Sequence, residues 1–112
     1  EFENWAENPN GPLMISSDSG STKLALFTGT PQGGRETAGF HLTAFRVSAA
    51  GFLAFLDRLP ELSLTDHRER SVTRDLVADH DVAWSIYFSD PWGHRLEVTT
   101  YEYVAVKEGL QR

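Results

Sequence analysis

The chain has 112 residues, is 40% hydrophobic and 12% aromatic, and carries a formal charge of −6. This fits one globular domain with a modest core and excludes a disordered chain; the acidic balance offers no basic stripe for nucleic acid, and no run nears the roughly 20 apolar residues that cross a bilayer. The absence of cysteine excludes disulfides, thiolate chemistry and cysteine metal sites, and fits a cytoplasmic protein.

Residues 1–12 are polar, with Pro9, Gly11 and Pro12, and read as a loose lead-in; the start lacks Met and any signal-peptide pattern, as in a processed or trimmed chain. Leu13–Ser17 and Lys23–Thr28 flank the turn residues Asp18-Ser19-Gly20-Ser21, which predicts a hairpin. Residues 29–39 are rich in Gly and Pro and read as a linker. Phe40–Val47 predicts a third strand. Ser48 then caps a helix whose Phe52, Phe55, Leu56 and Leu59 form one apolar face, and Pro60 is expected to stop it.

The mixed-charge stretch 61–81 is expected to hold a short strand near Arg68–Thr73 and an exposed loop. Val82–Ser89 and Arg95–Val104 predict a closing hairpin around Asp90-Pro91-Trp92-Gly93, with Pro second and Gly fourth as in a type I turn. Strands dominate and one helix is clear, so the fold class is α+β with a mostly antiparallel sheet.

Glu97 falls inside an otherwise apolar strand, where an ionised carboxylate is costly unless a positive group meets it. By strand parity, His41, Thr43, Phe45 and Val47 share one face, Arg95, Glu97, Thr99 and Tyr101 another, and Ser85 and Tyr87 a third. If these faces line one concave sheet, His41, Glu97 and Tyr87 converge, and imidazole plus carboxylate suits a divalent Fe, Mn, Zn or Ni ion. Each residue also has a plain role. His41 can be a hydrogen-bonded strand histidine, Glu97 a salt-bridge partner of Arg46 or Arg95, Tyr87 a pocket aromatic, His80 a solvated loop residue, and His94 a turn residue.

Tyr87-Phe88-Ser89-Asp90-Pro91-Trp92-Gly93-His94-Arg95-Leu96-Glu97 resembles the closing hairpin of the vicinal oxygen chelate superfamily, which includes glyoxalase I, extradiol dioxygenases and bleomycin or fosfomycin resistance proteins. Phe40–Val47 and the helix after it are similar to the strand and helix that open the second module of that superfamily. The resemblance runs over residues 13–104, with 13–28 as the end of a first module and 40–104 as the second. It implies βαβββ modules paired into a cupped sheet around a metal, with His41 and Glu97 as ligands. His80, seven residues before Tyr87, looks most like the extradiol branch. There a 2-His-1-carboxylate Fe(II) site is implied, with Tyr87 and His80 as catalytic groups and a small oxygen-chelating substrate such as a catechol.

The chain departs from that pattern. The first module's opening strand and helix, about 30 residues carrying the first ligand histidine, have no counterpart before residue 13. Ala25 or Leu26 stands where glyoxalase I-like members place a carboxylate, His94 replaces the usual Asn, and Trp92 replaces a small or polar residue. Three functions follow: a metal-dependent dioxygenase or lyase; a metal-free module that sequesters an aromatic or cationic small molecule, as resistance proteins do; or a partner subunit with a structural role. An incomplete sheet with a bare edge also predicts a homodimer, exchanged strands being one form of it.

Overall fold

The structure is a computed structural model that describes residues 2–4, 12–29 and 41–111. The chain forms two compact units, Glu1–Gln32 and Gly33–Arg112. In the first, β1 (Phe2–Asn4), β2 (Leu13–Ile15) and β3 (Leu24–Leu26) form an antiparallel sheet in that order. The predicted hairpin is therefore present, with Met14 opposite Ala25. Its turn is held by side chains: Ser16 Oγ accepts the Gly20 N–H at 2.8 Å, and Asp18 accepts the Thr22 N–H at 2.8 Å. β1 lies where a structureless lead-in was expected; at three residues it is too short to leave a periodic signal. Residues 5–11 of that lead-in, residues 30–39 of the linker and Phe40 of the third predicted strand lie outside the described residues.

The second unit contains β4 (Leu42–Arg46), α1 (Ala49–Leu62), a 3-10 turn (Arg74–Leu76), β5 (Ala78–Asp79), β6 (Trp84–Ser89), β7 (Arg95–Thr100) and α2 (Tyr103–Leu110). Its sheet has the order β4-β7-β6-β5. The β6–β7 and β5–β6 pairs are antiparallel, whereas β4 and β7 are parallel. Parallel neighbours need a crossover, and α1 with the segments after it supplies one. The class is α+β, as the strand-rich pattern predicts.

Ser48 caps α1 as predicted, its Oγ accepting the Gly51 N–H at 3.1 Å. Phe52, Leu56 and Leu59 are buried, with Phe55 partly buried beside Phe88. They pack with Trp84, Ile86, Val98 and Val106 into one core. Pro60 does not stop the helix, which runs to Leu62 and closes at Ser63 in the left-handed region (φ 50°). The proline removes one hydrogen bond from the last turn, and burial of Leu56 and Leu59 outweighs that loss.

No strand spans Arg68–Thr73. Thr65 instead bridges both Ser71 and Ser89, closing a tight loop. Asp66 accounts for the difference, because its carboxylate takes the Arg68 and Arg70 N–H groups that a ladder would need. The final strand ends at Thr100, not Val104. Tyr103, Val106 and Leu110 then recur at helical spacing and pack against the core, so tertiary burial overrides the strand preference of Tyr and Val. A Cβ on Gly109 would fall 2.4 Å from Leu53 Cδ1, so the bare backbone there lets α2 lie close to α1.

Candidate functional site

The β6–β7 hairpin turns through Asp90–Gly93, with the Gly93 N–H on the Asp90 carbonyl at 3.1 Å and Gly93 at φ 92°. A type I turn ending in a left-handed glycine fixes the register of the ladder. Asp90 reinforces it by accepting from the Trp92 and His94 N–H groups at 2.9 and 2.8 Å, while His94 Nδ1 lies 2.6 Å from its other oxygen. Burial pushes the Asp90 carboxyl up, and these bonds with the His94 charge outweigh it, so its pKa is lowered.

That register sets Tyr87 opposite Glu97 and Ser85 opposite Thr99. Trp84, Ile86 and Phe88 alternate onto the face that meets the helices; Ser85, Tyr87 and Glu97 occupy the other. Ser85 has one hydrogen for Glu97 Oε2 at 2.7 Å or Thr99 Oγ1 at 3.0 Å, and the nearer, charged acceptor is favoured. Thr99 in turn donates to the Trp84 carbonyl at 3.1 Å. Tyr87 Oη lies 3.0 Å from His80 Nε2. Burial, then the Glu97 charge, raises the Tyr87 pKa, so the phenol stays protonated at neutral pH. Of the four predicted site residues, Tyr87, Glu97 and His80 are thus brought together.

His41 is not brought to them. On β4 the residue beside Glu97 is Ala44, with Leu42 beside Arg95 and Arg46 beside Thr99. His41 precedes the strand, is exposed, and continues the parity of Thr43 and Phe45, which face away from Glu97. The sequence-level convergence treated the β4 and β7 faces as matching when the register offsets them by one residue. Among the described residues no three of His, Cys, Asp and Glu gather as a metal-holding group. Glu97 meets the Ser85 hydroxyl at 2.7 Å, and these donors do not fit the implied metal centre.

A cavity of about 250 Å³ lies at the end of the sheet where β6 leaves and β4 and β7 begin. Leu42, Tyr87, Phe88, Ser89, Arg95 and Leu96 line it from the strands, and Asp66, His67, Arg70 and Leu76 from the segment after α1. The Ser89 N–H bonds the Thr65 carbonyl at 2.8 Å, which anchors that segment over the cavity. Sequence reasoning missed Asp66 and Arg70 as site residues. The available signal was an Asp-Arg pair four apart in a stretch read only as solvated charge. Comparisons with protein-family models, with curated proteins and with solved structures find no match for this chain.

Proposed function

We propose that this protein binds a small, single-ring, oxygen-bearing molecule in the cavity walled by Tyr87, in the manner of the metal-free members of the vicinal oxygen chelate superfamily that its closing hairpin resembles. The observation that carries the reading is the cavity itself: about 250 Å³, just below the usual range of ligand pockets and so suited only to a small molecule, with apolar Leu42, Leu76, Phe88 and Leu96 beside a protonated phenol. The strand–helix–strand–strand–strand order of β4 to β7 supports it, being the module order that the resemblance implies. The metal-dependent reading draws support from Glu97 alone, because His41 is on the wrong parity to join it.

Calorimetric titration of chelator-treated protein with catechol tests the proposal. Saturable binding, weakened by Tyr87→Phe and indifferent to added Fe, Mn, Zn or Ni, is the expected result. Binding that appears only with one of those metals favours the enzyme reading, and no binding in any form refutes both.

A homodimer belongs to the same proposal. β4 is an edge strand with Leu42, Thr43 and Ala44 exposed, and its outer side has no strand partner among the described residues. Light scattering that reports a monomer at micromolar concentration contradicts it.

A further inference from the structure

We infer that two copies of this chain join edge to edge through β4, antiparallel and centred on Ala44, so that their four-stranded sheets become one. The inference rests on the homodimer reading and adds to it the surface and the register. The Val47 N–H bonds the Thr99 carbonyl at 2.8 Å, which fixes the phase of the β4–β7 ladder. In a parallel ladder alternate residues turn both backbone groups to the neighbouring strand, and the residues between turn both away. Thr43, Phe45 and Val47 therefore bond β7, whereas Leu42, Ala44 and Arg46 present their N–H and C=O groups to the outside. Among the described residues nothing bonds those outward groups.

Such a row is a template for a further strand, and natural edges are guarded against it by lysine, proline or a bulge. β4 has none of these: its sequence is Leu-Thr-Ala-Phe-Arg, and its register against β7 is unbroken from Leu42 to Arg46. Its one charge, Arg46, lies over the Tyr101 ring at 5.4 Å, just beyond the end of β7. An inverted copy of the same strand satisfies every outward group only when Ala44 meets Ala44. Leu42 then faces the partner's Arg46, and each outward residue exchanges both hydrogen bonds with an outward residue. A shift of one residue sets outward groups against groups already spent on β7, and a shift of two carries one of the three residues past the end of the strand. The same register holds the two Arg46 residues about 14 Å apart, farther than the screening length of about 8 Å. The strand is thus complementary to itself. Leu42 also lines the cavity, so the pairing sets the partner's Arg46 beside a wall of the ligand site.

The chain has no cysteine, so single-cysteine variants read the register cleanly. Leu42→Cys, Ala44→Cys and Arg46→Cys are oxidised mildly at micromolar concentration and resolved by non-reducing electrophoresis. Ala44→Cys should cross-link at least about tenfold faster than the others, because its Cα atoms meet at about 5.5 Å, within disulfide reach, and theirs stay about 14 Å apart. Ala44→Pro removes an N–H that does not bond β7, and should raise the dimer dissociation constant at least about tenfold in light scattering with the circular dichroism retained. Should that variant unfold, the cysteine series decides the matter. A wild-type dimer that survives in folded Ala44→Pro, or cross-linking no faster at Ala44→Cys than at the other two positions, overturns the β4 pairing and leaves a homodimer through another surface. A monomeric wild type overturns both.

Discussion

Tyr87 and Glu97 face each other directly across the β6–β7 ladder, a partially buried phenol against a carboxylate. Burial and the adjacent charge both favour the neutral phenol, so Tyr87 acts as a hydrogen-bond donor and not as a phenolate. Glu97→Gln removes the charge and should lower the Tyr87 pKa toward its ordinary value. Phenolate absorbance during alkaline titration, with Tyr87→Phe to assign the signal, measures it. His41→Ala should leave the same titration untouched, because His41 lies off that face. A shift in His41→Ala comparable to that in Glu97→Gln would contradict the register.

Asp66 makes stability depend on acid. Burial opposes its ionisation, but the Arg70 and Arg68 N–H groups and the Arg70 guanidinium prevail, so its pKa is lowered in the folded chain. A depressed folded pKa gives stability that is fully present above the ordinary carboxylate value near 3.8 and is lost as pH falls through the folded value. Asp66→Asn should cost about 2 kcal/mol at pH 7 and flatten the loss of stability below pH 4. Urea midpoints at pH 7 and pH 3 measure both, and an undiminished acid response in Asp66→Asn would remove Asp66 as its source.

Phe52 is fully buried at the centre of the core that joins α1 to the sheet. Phe52→Ala should cost about 3–5 kcal/mol, enough to unfold much of the second unit of so small a chain. Denaturant unfolding followed by Trp fluorescence reports it directly, since Trp84 lies in the same core and stacks on Tyr103.

The Glu102 carboxylate accepts the Ala49 N–H at the first turn of α1, while Glu102 itself precedes α2. A negative charge at a helix N-terminus stabilises it, so Glu102→Ala should cost about 1 kcal/mol and Glu102→Gln somewhat less. Thermal melts at low and high salt separate the two contributions: the charge component shrinks with salt and the hydrogen-bond component persists.

The legible parts of the fold were those written in short-range chemistry. Ser48, the Phe52–Leu59 stripe and Asp-Pro-Trp-Gly each announce a cap, a buried helix face and a turn from neighbouring residues alone. Tyr87 and Glu97 were legible as a pair because a two-stranded register follows from its turn. His41 was misplaced because its relation to Glu97 depends on a parallel pairing across more than fifty residues, which no local pattern encodes. The Asp66–Arg70 grip was hidden for a related reason: the same charges read as solvated surface until the Thr65–Ser89 bridge folds them over the end of the sheet.

Amide-resolved NMR titration of the chelator-treated protein with catechol tests the central claim most directly. The predicted result is a saturable set of perturbations confined to Leu42, Tyr87, Ser89, Leu96 and the Asp66–Arg70 loop, weakened in Tyr87→Phe. Perturbations elsewhere on the sheet, or none at millimolar catechol, would contradict a ligand site at this cavity.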